Sequence, residues 1–502
     1  MSDRPILVLQ MQRMGDLILS FPLLAWLQRL YPQRPLWVVG EESFFLPLMP
    51  LSPPASYFSY NNTQGLLHTP FSLVINLSHR PEAAMLAGSV VSEELIGPYT
   101  TKDGERYIRG NWQLYRASLT HNNHYNRHHW CDLNSLDCIP LSIMRRTSWP
   151  PIRSSAESAT GRVGLFLGAS EEGKRPSTQF WRDITQLLLE KGLRPVLLGG
   201  EAEKPLGQEV AQALGVHALN LCGHFDIRQL ALFIQQLDAL VTPDTGPMHI
   251  ATWVGTRVIN LSMGNVSPWE TGPMSPGHSI IRANVPCLDC WECTQPEMVC
   301  KKSFEAHQVC HIIESLLRAS PITSPHEVDN LHVLCSERRN GLYWLEHDKR
   351  WAVPYESGLS VSPPSALRGS CSSLGREKTP QGVRSAHNAV GLFWHGWFSA
   401  LFELQPRAGC EEAWRKLCEV HPTKAKEIQE EARRLLMILL KSIKMEKNPF
   451  IDESVFWQEF TESFRPFTGY LQLYSQNTSS HKNSLRQIVL YCEMLLEVVA
   501  SV

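Results

Sequence analysis

Residues 6–40, ILVLQMQRMGDLILSFPLLAWLQRLYPQRPLWVVG, read as strand, loop, helix and strand. ILVLQ is a continuous apolar run of buried-strand length, LILSFPLLAWLQRLY repeats its apolar residues at helical spacing, and PLWVVG closes a second strand at Gly40. This is a βαβ unit, and parallel strands joined by a crossover helix belong to a sheet with both faces covered. SLVINLS around Val74 is a further apolar run of the same type, and IGPYTTKDG after Ile96 is a turn-rich loop. A polar, histidine-rich segment from His121 to Cys138 closes this half, giving an expected first domain over residues 1–150.

A second α/β series follows the Pro- and Ser-rich stretch SWPPIRSSAESAT, read as a hinge. Its strands are VGLFLG, RPVLLGG, ALVTPD and RVINLS, and helical patterns such as FWRDITQLLLEKG and DIRQLALFIQQ separate them, so residues 151–318 are expected to form a second domain. Two such series imply two doubly wound, Rossmann-like sheets facing one another, with ligands held beyond the carboxyl ends of the strands. Residues 319–390, with SVSPPSALRGSCSSLG, read as linker carrying a short strand-like piece near Leu342. Beyond Gly391 the period is helical, as in KAKEIQEEARRLLMILLKSI, so residues 391–502 are expected to form a separate α-helical extension of unknown role.

Composition narrows the function classes. Forty-seven basic against forty-nine acidic side chains leave a net charge of -2, which gives no field to attract nucleic acid as a general partner. The stretch MSDRPILVLQ lacks the cationic region, long apolar core and cleavage site of a signal peptide, and no run approaches the roughly 20 apolar residues of a membrane span. A cytoplasmic protein, peripheral on a membrane at most, is expected, with its thirteen cysteines reduced.

Four local constellations can carry chemistry. In VTPDTGPMHIA, residues 241–251, a strand ends and a helix starts, so Asp244, Thr245 and Gly246 sit where free N–H groups and the helix dipole attract an anion such as a diphosphate. His249 follows Thr245 by four residues and shares its helix face. A plain N-cap, worth about 1 kcal/mol, is the other reading of Asp244 or Thr245. In FLGASEEGKRPSTQFW, Ser170 and Lys174 are placed to hold phosphate oxygens. In LLGGEAE, Glu201 stands after a glycine pair, where an acid accepts from ribose hydroxyls or merely favours the next helix. In MQRMGDLILS, Gly15 permits a tight strand-to-helix turn and Asp16 stands at the helix start, as a general base or as a cap; that placement tends to lower a carboxylate pKa. One glycine where G-x-G-x-x-G needs three sets an NAD-dependent oxidoreductase aside.

The order and spacing of these pieces resemble glycosyltransferase family 9, the ADP-heptose:lipopolysaccharide heptosyltransferases, from Ile6 to about Leu317. The likeness is carried by the opening strand with GD, by NLSHR, the KR-bearing turn and LGGEAE, by NLCGHFDIRQLALFIQQLDALVTPDTGPMHIA, and by the Asn-Ser-Pro-containing turn after LSMG. The resemblance implies a GT-B fold and inverting transfer of heptose from ADP-heptose to a lipopolysaccharide inner-core acceptor at the inner membrane surface. It implies Asp16 as catalytic base, Ser170 with Lys174 or Arg175 as diphosphate ligands, Glu201 on the ribose and Phe225 near the adenine. It further implies Asp244, Thr245, Gly246 and His249 along the sugar-diphosphate end, with no metal required for catalysis. The family usually has Trp-Pro after the basic pair, whereas Pro176 and Ser177 follow here, leaving open which cation meets the phosphate. Another donor or acceptor, or nucleotide-sugar binding without catalysis, remain the alternatives.

GERYIRGNWQLYR and HNNHYNRHHWCDLN identify no particular acceptor, although Tyr107, Arg109 and Arg127 are candidates for an anionic glycolipid. His121, His124, His128 and His129 read as surface hydrogen bonders rather than metal ligands. Cys287, Cys290, Cys293 and Cys300 in PCLDCWECTQPEMVC are candidate ligands of a structural zinc, with reduced thiols or a labile disulfide as the alternative.

Overall fold

A computed structural model describes residues 4–152, 161–215, 219–318, 330–348, 351 and 380–500, apart from 286, 288, 291, 292, 294, 296, 453, 454, 479 and 480. Most of the expected hinge at 148–160, and positions 319–329 and 352–379 of the expected linker, lie outside the described residues.

The first sheet contains β1 (Ile6–Gln10), β2 (Leu36–Gly40), β3 (Ser56–Ser59), β4 (Pro70–Asn76), β5 (Val91–Thr100) and β6 (Arg106–Arg109), in the order β3-β2-β1-β4-β5-β6. Its members pair in parallel except β6, which returns antiparallel along β5. The central strands are mostly apolar because both faces are covered: Ile6 to Leu9 are fully buried, as are Val74 and Ile75.

The second sheet contains β7 (Arg162–Phe166), β8 (Arg194–Leu198), β9 (Ala239–Pro243), β10 (Val258–Ser262) and β11 (Ser279–Ala283), extended by β12 (Leu331–Arg339) and β13 (Leu342–His347). The order is β13-β12-β11-β10-β9-β7-β8, parallel except where β12 and β13 join. Part of the expected linker is therefore a hairpin that completes this sheet. Its turn is Asn340-Gly341, both at positive φ, the pair that suits a two-residue hairpin.

The sheets meet through helices rather than through their edges. Leu17, Ile18, Phe21 and Leu24 of the first domain share one buried cluster with Met248, Ile250 and Ala251 of the second. Across this seam the Trp253 indole donates to the Leu51 carbonyl at 2.7 Å, and its ring packs edge-on to Phe21.

The helices from Pro380 onward do not form the separate domain expected after Gly391. Trp394, Phe398 and Phe467 share a core with Trp112, Tyr115, Leu119 and Leu133 of the first domain. Trp394 stacks on Phe467 at 5.9 Å, and Asn122 donates to the Arg465 carbonyl at 2.8 Å. Amphipathic helices reveal their apolar faces in sequence without revealing what covers them, and here the cover includes the Asn111–Ser118 helix.

That burial also overturns the surface reading of two histidines and Arg127. His128 and His129 are buried, held by a stack on His395 and by a 3.0 Å bond to the Gly272 carbonyl. Arg127 lies 5.3 Å over the Trp269 ring and donates to the Asn126 carbonyl at 2.7 Å, so it is a buried post rather than an acceptor ligand. Beside it, Asp289 accepts from Arg282 at 2.9 Å and pairs with His387 at 3.2 Å, which ties the second domain to the helical extension.

Candidate active site

β1 delivers the chain into the Met14–Leu19 helix, and Asp16 is its third residue. One Asp16 oxygen accepts from the Arg13 backbone N–H at 3.2 Å, so the capping role is real. It does not fix the charge as helix-end placement alone would. Burial pushes the Asp16 carboxyl above its ordinary value, opposed by the charges of Arg116 and His249. A carboxylate raised toward neutrality holds a proton better, as a general base requires.

The opposite wall comes from the Gly246–Trp253 helix after β9. His249 lies almost against the backbone of Gly15: a Cβ added there would stand 3.1 Å from His249 Cδ2. Burial lowers the His249 pKa to about 4, so the imidazole is neutral at pH 7, and among the described residues its buried Nδ1 has no hydrogen-bond partner. Thr245 is the residue before this helix, yet its hydroxyl makes no capping bond. Asp244 does not cap either, since it accepts from Thr271 Oγ1 at 2.6 Å. Burial raises the Asp244 carboxyl, and nearby Lys174 pulls it back.

Lys174 and Arg175 diverge. The Lys174 side chain is only 12% exposed, 3.4 Å from Glu171, and its charge acts on both Asp244 and His249. Arg175 turns back to donate to the Ala169 carbonyl at 2.6 Å. Ser170 is exposed and accepts from Arg13 at 3.3 Å across the seam. Phe225 packs on Phe233 at 4.9 Å beside the shared cluster. Glu201 is exposed and paired with Lys204 at 2.7 Å, whereas Glu203 lies against Gly168 and accepts from the Gly200 N–H at 2.9 Å.

Two neighbours of the site escaped sequence reading. Arg116 is buried with its guanidinium on the Leu77 carbonyl, on Asn134 at 2.9 Å and over the Trp130 ring, within electrostatic reach of Asp16. Glu270 is buried between Asn123 and Asn126, and burial pushes its carboxyl up to about 7. The sequence signal for Arg116 is a cation next to Tyr115 in NWQLYRAS, between Trp112 and Leu114 on one side and Ala117 on the other; Glu270 has none, because its partners lie more than a hundred residues away.

Cys287, Cys290, Cys293 and Cys300 line one cavity of about 20 Å³. The donor chemistry suits zinc, while among the described residues no three His, Cys, Asp or Glu side chains stand as a metal-holding group. The cysteines of the described residues are all free thiols.

Residues 146–300, which carry most of these groups, match the model of glycosyltransferase family 9 (heptosyltransferase). That stretch of the chain is similar to glycosyltransferase family 9. Over 125 residues it is 33% identical to lipooligosaccharide heptosyltransferase 2 of Haemophilus influenzae, covering 24% of this chain and 36% of that protein. Over 151 residues it is 26% identical to lipopolysaccharide heptosyltransferase 2 of Escherichia coli, covering 27% and 43%. The match thus spans less than half the length of either relative. A family 9 glycosyl transferase of Veillonella parvula is structurally similar at 17% identity and a TM-score of 0.46, over 64% of this chain and 99% of that one. Among the described residues no helix is long and apolar enough to cross a membrane.

Proposed function

We propose that the protein is an inverting glycosyltransferase that moves a heptose from ADP-heptose to an inner-core lipopolysaccharide acceptor at the cytoplasmic face of the membrane. The observation that carries this reading is the half-buried Asp16, raised in pKa, opposite the helix of Thr245 and His249 with Lys174 beside it. Asp16 takes the proton of the acceptor hydroxyl as its oxygen attacks the anomeric carbon. The bond from that carbon to the diphosphate breaks, and ADP leaves with the electron pair. Lys174 and the N–H groups at the start of the Gly246–Trp253 helix offset the charge that develops on the diphosphate. His249, neutral and unpartnered at Nδ1, lines the same space.

Competition binding on the purified full chain tests the donor half of this reading. ADP-heptose and ADP are expected to bind and to displace one another, with UDP- and GDP-sugars at least tenfold weaker. Preference for a UDP- or GDP-sugar would move the donor assignment, and absence of any nucleotide binding would remove it.

A further inference from the structure

A cavity lies between the first domain and the helical extension. It measures about 270 Å³, and its walls come from His79 and Arg80 after β4, from Tyr99, Arg106 and Tyr107 of the β5–β6 hairpin, and from Gln476 of the Arg465–Gln476 helix. No Asp or Glu lines it. Arg80 lies over the Tyr60 ring at 5.5 Å and Arg109, just beyond the lining, over Tyr99 at 5.2 Å. Among the described residues neither of them nor Arg106 forms an ion pair. Guanidinium groups resting on aromatic faces keep their donors free for an oxyanion, and flat Tyr99 and Tyr107 rings suit the apolar face of a sugar.

The extension builds this wall firmly. Asn477 grips the edge strand β6 at both backbone groups of Ile108, accepting from its N–H at 2.6 Å and donating to its carbonyl at 2.8 Å. Gly469 of the same helix meets Asn122 so closely that a Cβ there would stand 2.4 Å from the amide nitrogen. Arg116 acts electrostatically both on His79 in the cavity wall and on Asp16.

We infer that the helical extension is an acceptor-binding element, its Gln476 face closing a pocket for a sugar that bears phosphate. The inference rests on the glycosyltransferase reading for the pocket's role in the reaction, and its binding chemistry is separable from the donor. The anion meets Arg106 and Arg80, the sugar ring meets Tyr99 and Tyr107, and Gln476 supplies a hydrogen-bonding edge.

Calorimetric titration of the full chain with hexose 1- and 6-phosphates, the parent hexoses and inorganic phosphate tests this, with ADP binding measured alongside. At least one sugar phosphate is expected to bind tenfold or more tighter than its parent hexose and than phosphate. Arg106→Glu and Gln476→Trp, both at exposed positions, are each expected to weaken that binding tenfold or more while ADP binding holds within twofold. The inference is overturned if no sugar phosphate binds, if phosphate binds as well as any of them, or if the Gln476→Trp chain binds like the parent. Failure of ADP binding with sugar phosphate binding intact would instead remove the donor assignment and leave the pocket standing.

Discussion

Gly15 and His249 are packed so that a single added methyl group at residue 15 would reach 3.1 Å from the imidazole. The contact joins the helix that carries Asp16 to the helix that carries Thr245 and His249, across the seam between the two sheets. Glycine is used here for closeness rather than for an unusual backbone angle. The proposed catalytic carboxylate and the proposed diphosphate end are thereby held face to face.

Gly15→Ala forces His249 to give by a few tenths of an ångström. The expected result is a fall in kcat/KM of roughly tenfold or more, because displacement at a reacting centre is costly, with little change in Tm. Steady-state kinetics and a thermal melt on the same preparation check it.

Asp16 must be ionised to act, so kcat/KM is expected to fall as pH drops through its raised pKa. Arg116 is the first of the charges that oppose this rise. In Arg116→Met the acidic limb should therefore move to higher pH by about one unit or more, with activity largely restored above it. A pH–rate profile separates this from a structural defect, which would lower the rate equally at every pH.

Lys174 and Arg175 should differ in effect. Lys174→Ala is expected to lower kcat/KM by about a hundredfold, the scale of losing one charge-stabilising donor in an active site. Arg175→Ala, whose guanidinium is turned to the Ala169 carbonyl, should lower it less than tenfold. Equal losses would mean that the two side chains exchange places when donor binds.

Trp394→Ala should destabilise the whole chain by about 3–5 kcal/mol, since the indole is fully buried against Phe467 and donates to the Ser463 carbonyl at 2.7 Å. Denaturant unfolding is expected to show one transition shared by the first domain and the extension. For the same reason, removing residues 380–502 should leave an aggregating protein with Trp112, Tyr115 and Leu119 uncovered. A soluble, monomeric truncation would contradict this.

How much of this was legible in sequence depended on range. ILVLQ, VGLFLG and ALVTPD announce buried parallel strands because their apolar runs are local, and the strand-end motifs bring Asp16 within electrostatic reach of His249 and Lys174 within reach of Asp244 and His249, whereas Glu201 stays exposed on Lys204 and Arg175 turns to the Ala169 carbonyl. Asn340-Gly341 is an equally local hairpin signal, flanked by strand-like runs, but it sits inside a stretch whose Pro, Ser and Gly clusters read as linker. Arg116, Arg127, His128 and Glu270 look like surface residues because the groups that bury them arrive from other parts of the chain. The extension is the same case on a larger scale: its apolar stripes were visible, but their partners lie in residues 112–133.

The most direct test of the account is acceptor-dependent release of ADP from ADP-heptose by the wild type and by Asp16→Asn, with donor affinity measured for both. The account predicts that Asp16→Asn binds ADP-heptose within a few-fold of wild type while ADP release falls by about a thousandfold or more. Release by Asp16→Asn at a rate near wild type would contradict the assignment of Asp16 as the base on which the mechanism turns.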